Sequence, residues 1–154
     1  MTGLEIVRAD TPEQLEHALT IRRAVFVGEQ GVSEAQEIDG LDDEALHLIA
    51  LVDARPVGTL RIRFLKDRRI AKIERVAVVR SARGRQVGQA LMVAALDHAE
   101  AGGATEARLH AQITVQDFYG RLGFSAVGPE FDEDGIRHIA MRRPLGDAAL
   151  RALG

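Results

Sequence analysis

The sequence predicts an α/β protein in which helices flank a mixed, mostly antiparallel central sheet. Three apolar segments of strand length follow one another between residues 45 and 79, as in an antiparallel meander. After them, helical and strand segments alternate, as in the strand–helix–strand half of a layered domain. The chain has 154 residues, enough to bury a sizeable core, so we expect a single domain over residues 1–154.

The first elements are a strand, a capped helix and a long loop. Apolar and polar residues alternate over residues 4–8, which predicts a strand. Thr11 and Gln14 stand at the two positions of a capping box, and apolar residues at helical spacing extend the helix to about Val27. Residues 28–44 are polar and punctuated by glycine, and a loop of that length within a compact domain is usually functional.

The remaining elements follow from the same periodicities and from turn residues. Strands are predicted at residues 45–53, 57–65, 70–79, 104–112, 124–128 and 136–142, with a hairpin turn at 131–135. Helices are predicted from about Gln86 to Ala101, where Gly102 and Gly103 end the helix, and at residues 115–122. Residues 145–154 predict a loose C-terminal helix.

The composition excludes several classes of protein. No cysteine is present, so disulfides, thiolate zinc sites and a cysteine nucleophile are impossible. The net charge of −3 argues against nucleic acid as a partner, and no apolar run reaches the length of a membrane span. The N-terminus lacks the pattern of a secretory signal. We therefore expect a cytoplasmic protein with neither nucleic acid nor membrane as a partner.

Charge is distributed unevenly along the chain. Residues 28–44 hold seven acids and no base, whereas residues 61–85 hold ten bases and two acids. The first segment suits a cationic ligand and the second an anionic one, unless both are simply solvated surfaces.

The turn after the fourth strand predicts an anion site. Residues 75–91 read RVAVVRSARGRQVGQAL, in which a strand ends, glycines follow and a helix begins. The first N–H groups of a helix have no intrahelical partner and attract anions, and Arg83 and Arg85 add positive charge. The spacing matches neither the dinucleotide fingerprint nor the P-loop, and the alternative is an ordinary turn with solvated arginines.

Together with residues 117–124, DFYGRLGF, this turn resembles the GNAT superfamily of acetyl-CoA-dependent N-acetyltransferases. The resemblance rests on the loop motif Q/R-x-x-G-x-G/A at Arg83, Gln86 and Gly88, and on Y-x-x-x-G-F at Tyr119, Gly123 and Phe124. Four further segments resemble the ElaA-type and YjcF-type branch: FVGEQGV (26–32), EIDGLDDEALH (37–47), LHAQ (109–112) and FDEDGIRHIAM (131–141). The fold implied is the GNAT fold, in which strands 4 and 5 splay apart.

The resemblance implies acetyl-CoA as the donor and no metal. Main-chain groups of Val76 and Val78 would pair with the pantetheine amide, and Tyr119 would protonate the departing thiolate. The other cofactor-binding positions implied are Ala77, Arg83, Gly84, Arg85, Gln86, Val87, Gly88, Gln89 and Phe118.

Two positions depart from the common pattern of the family. Gln86 replaces the first glycine of the loop motif. Since a residue in the first turn of a helix needs no positive φ, we expect Gln86 to adopt helical φ and ψ and still offer its N–H. Many relatives have an asparagine about seven residues before the tyrosine, and here that position is Gln112, as expected in this branch.

Transfer to an amine requires a base, and Glu74 is the first candidate. Alternation along the fourth strand would put Glu74 on one face with Val76 and Val78, where an isolated carboxylate is unusual. The alternative is a paired carboxylate that holds a neighbouring arginine. His110, on the fifth strand, is the second candidate. Without cysteine we expect direct attack in a ternary complex.

The acidic loop, residues 28–44, indicates the kind of acceptor. The acceptor-binding residues predicted are Glu29, Gln30, His110, Gln112 and His138. Negative potential in the loop favours a small cationic acceptor: a polyamine, an aminated metabolite or a peptide N-terminus. Two other functions stay open, namely a relative of acyl-homoserine-lactone synthases and an acyl-CoA sensor without catalysis. The resemblance also allows a homodimer.

Overall fold

The structure, a computed structural model, describes residues 3–146. Its strands are β1 (Leu4–Arg8), β2 (Leu46–Val52), β3 (Arg55–Leu65), β4 (Ile70–Val78), β5 (Glu106–Gln112), β6 (Ser125–Glu133) and β7 (Ile136–Pro144). Its α-helices are α1 (Pro12–Arg22), α2 (Glu34–Glu37), α3 (Val87–Ala101) and α4 (Gln116–Arg121). Hydrogen bonds join the strands in the order β1-β2-β3-β4-β5-β7-β6. The predicted mixed, mostly antiparallel sheet is confirmed.

The described residues fall into two compact units. The first consists of residues 3–63 and 74–97, and the second of residues 64–73 and 98–146. Within residues 3–146, no helix is long and apolar enough to cross a membrane.

In the first unit, β2 pairs antiparallel with β1 and with β3. The capping box that opens α1 is confirmed, because the Thr11 side chain accepts from the Gln14 main chain and the Gln14 side chain accepts from the Thr11 main chain. The helix does not continue regularly to Val27 but passes into a π-helical segment, Arg23–Glu29. Such irregular turns are rare in helices and often occur at functional sites.

In the second unit, β7 lies between β5 and β6 and pairs antiparallel with both. β5 pairs with β4 in parallel at only three positions, the last of which joins Lys72 and Arg108. Leu109 to Gln112 therefore extend beyond the last parallel pair, and the predicted splay of strands 4 and 5 is confirmed. Alternate residues of β5, among them Leu109 and Ala111, are buried, as its sequence pattern requires.

Several predicted boundaries differ from the structure. α3 begins at Val87 rather than Gln86. β6 extends to Glu133, so residues 131–133 belong to a strand and only Asp134 and Gly135, both with positive φ, form the turn. Apart from its first two residues, the predicted C-terminal helix lies outside the described residues.

Candidate active site

The turn between β4 and α3 forms a main-chain cradle suited to an anion. Gly84 and Gln86 both have positive φ, 77° and 62°, and the chain then enters the fifteen residues of α3. The N–H groups of Val87, Gly88 and Gln89 lie in the first helical turn, where the helix dipole favours negative charge. A Cβ built at Gly84 would meet no atom within 4 Å, so the turn has space on that side for a ligand.

The backbone expected for Gln86 is wrong. Its φ of 62° lies in the left-handed region, where residues other than glycine are strained. Gln86 stands between the preceding 3-10 turn, Arg80–Ala82, and the start of α3. Gln86 therefore occupies a position whose geometry favours the glycine of the family motif.

Arg83 ties this turn to the end of the π-helical segment. Its two terminal guanidinium nitrogens donate to the two oxygens of Glu29, at 2.9 and 2.7 Å, and its Nε donates to the carbonyl of Val78 at 3.0 Å. Arg80 reaches the same carboxylate at 3.3 Å. These contacts, chiefly the hydrogen bond from Arg83, lower the pKa of Glu29. Glu29, predicted to face the acceptor, thus lies against the turn predicted to hold the donor.

The alternation of β4 is interrupted at Arg75, whose φ is 57°. Consecutive residues of a regular strand point to opposite faces, yet Glu74 and Arg75 both reach one group of charged side chains. After this kink, Ala77 packs against Ile21 and Val25.

The charged group and that apolar cluster lie on the side of α1, whose Arg22 joins the charged group. The prediction that Glu74 shares a face with Val76 and Val78 is therefore wrong, because the kink shifts the alternation by one residue.

The carboxylate of Glu74 is paired with two arginines. Arg63 Nε donates to it at 2.7 Å and Arg61 Nε at 3.1 Å, and the side chain is only 13% exposed. A carboxylate held by two guanidinium groups is stabilised in its charged form and is a weak base. The geometry favours the alternative that the sequence left open, in which Glu74 holds neighbouring arginines.

Arginines also neutralise most of the acidic loop. Five of the seven acids in residues 28–44 form ion pairs with arginine: Glu29, Glu37, Asp39, Asp42 and Glu44. Arg61 alone, 1% exposed, holds Asp39 through two hydrogen bonds of 2.9 and 2.6 Å. The hydrogen bonds from Arg61 hold the pKa of Asp39 well below its usual range. Glu34 and Asp43 are exposed.

Tyr119 lies on α4 in the second unit and is buried between two phenylalanine rings. Its ring makes edge-to-face contacts with Phe118 and Phe124, at centroid distances of 5.0 and 6.2 Å. Burial raises the pKa of the Tyr119 phenol to about 12, because the phenolate would be poorly solvated. The phenol is therefore protonated at neutral pH and able to donate a proton.

The second unit also brings together His110 and His138, with two residues that the sequence did not single out. Phe131 makes ring contacts with both histidines, and Glu133 lies 3.0 Å from His110 Nδ1 and 3.7 Å from His138 Nε2. Gln112 is the register partner of His138 on β5. The misplaced hairpin turn hid Phe131 and Glu133, since period-2 alternation extended through residue 133 would have placed both on one face.

Comparison with known proteins gives a consistent result. Residues 9–145 match the family model described as Acetyltransferase (GNAT) domain. The uncharacterized N-acetyltransferase YjcF of Bacillus subtilis is 37% identical over 141 residues, which cover 91% of this chain and 99% of YjcF. The crystal structure of Escherichia coli ElaA superposes with a TM-score of 0.81 at 33% identity, covering 91% of this chain and 99% of ElaA.

The crystal structure of an acyl-CoA N-acyltransferase from Pseudomonas aeruginosa gives a TM-score of 0.80 at 38% identity, with 91% of this chain and 99% of that one covered. These matches make the chain an acyltransferase enzyme. It belongs to the GNAT acetyltransferase family, in the branch that includes YjcF and ElaA.

Proposed function

We propose that this protein transfers the acetyl group of acetyl-CoA to the primary amine of a small acceptor, by direct attack in a ternary complex. The observation that carries the proposal is the turn at residues 83–89, where two positive φ angles precede a fifteen-residue helix. The pyrophosphate of the donor would accept hydrogen bonds from the main-chain N–H groups of this turn. Pantetheine would then extend along Val76 and Val78.

Tyr119 is proposed as the general acid. Expulsion of a thiolate leaves negative charge on sulfur, and a buried phenol that stays protonated at neutral pH can neutralise that charge. Tyr119→Phe separates this role from packing, because it removes the hydroxyl and keeps the ring.

The surroundings of the two candidate bases differ. Glu74, the first candidate, is held by Arg61 and Arg63. His110 is one-third exposed and lies just beyond the last parallel pair of β4 and β5. We therefore propose His110 as the proton acceptor. A pH–rate profile tests this: Glu74→Gln would flatten it if Glu74 is the base, and substitution of His110 would flatten it otherwise.

The acceptor is proposed to be an amine, and a cationic acceptor stays a prediction. The arginine pairs of the acidic loop remove most of the negative potential on which that preference depended, leaving the exposed Glu34 and Asp43. Among the predicted acceptor residues, Gln30, Gln112 and His138 keep their proposed roles. The single-domain organisation, the homodimer and the cytoplasmic location also stay predictions.

The decisive experiment is a thiol-release assay with acetyl-CoA across a library of cationic, neutral and anionic amines, beside calorimetric titration of acetyl-CoA. Binding together with amine-dependent thiol release is the expected result. Binding without release on any amine would favour a sensor over an enzyme that acts on amines. Release with anionic amines alone would exclude the cationic acceptor.

A further inference from the structure

One face of the second unit carries a cluster of two histidines, a phenylalanine and a glutamate. His110 faces Ala140 across the β5–β7 ladder, and His138 faces Phe131 across the β6–β7 ladder. Directly opposed residues share a face of the sheet, as do residues two apart on one strand. His110, Phe131, Glu133 and His138 therefore lie on one face, and their ring and ion contacts link all four.

Glu133 has one oxygen near each imidazole. Oε1 lies 3.0 Å from His110 Nδ1, and Oε2 lies 3.7 Å from His138 Nε2. The hydrogen bond from His110 lowers the pKa of Glu133, so the carboxylate is ionised and accepts rather than donates. His110 consequently carries a proton on Nδ1, and in the neutral ring the lone pair is on Nε2.

The surroundings fix both rings in place. The Nδ1 of His138 donates to the carbonyl of Ile136 at 2.7 Å, and its side chain is only 8% exposed. Phe131 stacks on His138 at a centroid distance of 6.0 Å and meets His110 edge-on at 5.0 Å. These contacts hold His138 in place, and His110, 33% exposed, is accessible to a ligand.

The cluster does not form a metal site, since no three His, Asp or Glu groups within residues 3–146 are placed to hold a metal ion. The charged groups that act on Glu133 are His110, His138 on β7 and Lys72 on β4, and Arg108 lies two residues before His110 on β5. Arg108 is itself paired with Glu106. Glu133 is therefore the group that orients the imidazole.

We propose that Glu133 is a positioning residue for the acetyl transfer, holding His110 so that Nε2 takes a proton from the acceptor amine. This inference rests on the proposed function. The amine nitrogen bonds to the thioester carbonyl carbon as the carbon–sulfur bond breaks. One N–H proton passes to Nε2 of His110 and the phenolic proton of Tyr119 passes to the thiolate. Exchange with water restores both side chains, so the net change moves one proton from nitrogen to sulfur.

The first test detects the contact between His110 and Glu133 in the free protein, by a measurement that does not depend on activity. Nitrogen-15 NMR of the histidines should show His110 protonated on Nδ1 in its neutral form. Glu133→Ala should abolish that preference, while Glu133→Gln, whose amide oxygen still accepts, should retain part of it. Asp132→Asn is the matched control, because the exposed Asp132 lies beside Glu133 on the other face of the strand. A neutral His110 without a proton on Nδ1 would overturn the proposal.

The second test reads catalysis with acetyl-CoA and the best amine of the library. His110→Gln should lower kcat by roughly 10²–10⁴-fold and remove the acidic limb of the pH profile. Glu133→Gln should lower kcat by at least about tenfold, because part of the contribution of His110 to catalysis is lost. The KM for acetyl-CoA should stay unchanged.

Two catalytic outcomes would overturn the proposal. The first is a Glu133→Gln variant with the kcat of Asp132→Asn, and the second is an acidic limb that survives in His110→Gln. Absence of transfer by the wild type would overturn the catalytic role together with the proposed function. The NMR spectrum of the free protein distinguishes that failure from a missing His110–Glu133 contact.

Discussion

The left-handed backbone of Gln86 predicts that a glycine at this position stabilises the free protein. An L-residue in this region of φ and ψ costs roughly 1–2 kcal/mol, and glycine avoids that cost. Glycine also gives the unfolded chain more freedom, which offsets about 0.4–1 kcal/mol. Gln86→Gly should therefore raise the free energy of unfolding by roughly 0.5–1 kcal/mol.

Gln89 provides a matched control three residues further along. It is exposed, as Gln86 is, but it lies inside α3. The same change there puts glycine into a helix and should cost about 0.5–1 kcal/mol. The two glycine variants should thus differ by roughly 1–2 kcal/mol, with opposite signs relative to the wild type. Gln86→Ala, which keeps the strained φ, should stay within about 0.5 kcal/mol of the wild type.

Urea unfolding of the free protein measures these differences. The midpoints should shift while the slope m stays constant, because neither variant changes the surface exposed on unfolding. A change of 1 kcal/mol corresponds to about 2–4 °C in Tm for a chain of this size, so thermal melts give an independent reading. A Gln86→Gly variant destabilised as much as Gln89→Gly would refute the reasoning, since Gln86 would then have the helical backbone that its position in the sequence suggested.

Three other changes test the site and its supports. Tyr119→Phe should lower kcat by roughly 10- to 1,000-fold with little change in acetyl-CoA affinity, measured by thiol release and calorimetry. Glu37→Gln, which leaves buried guanidinium charge less compensated, should cost about 3 kcal/mol in urea unfolding, whereas exposed Glu34→Gln should cost under about 0.5. Because the pKa of Asp39 is lower in the folded than in the unfolded state, its contribution to stability is present above about pH 4 and lost as pH falls further. Stability measured from pH 6 to pH 2 should therefore fall less steeply in Asp39→Asn than in the wild type.

The order of helices and strands was predictable from the sequence because each element is encoded locally. Alternation, helical spacing and the capping box at Thr11 and Gln14 do not depend on distant residues. The splay of β4 and β5 was not visible in these patterns and was predicted only from the resemblance of residues 83–88 and 119–124 to a known family. The anion site expected at residues 83–89 was the one functional prediction that followed from local physics alone.

The errors arose where long-range pairing determines the local backbone. The sequence around Glu74 alternates regularly, so nothing local indicates that Arg75 adopts a φ of 57°. At the kink, both residues contact partners more than ten residues away, since Arg61 pairs with Glu74 and Asp39 pairs with Arg75. The ion pairs of the acidic loop were hidden from the sequence for the same reason. In the sequence its charges suggest a ligand surface, whereas in the structure most of them form ion pairs with arginine.

The charged groups of the arginine–carboxylate network and those of the cluster around Glu133 differ in exposure. In the first unit, Arg61 and Arg22 are 1% exposed, and their carboxylate partners compensate charges that would otherwise be costly to bury. In the second unit, His110 and Glu133 keep 33% and 40% of their side chains exposed, so a ligand can still reach the imidazole. A base must release and take up protons during each turnover, which a buried, doubly held carboxylate does poorly. The contrast in exposure is therefore the physical reason to look for the base at His110 rather than at Glu74.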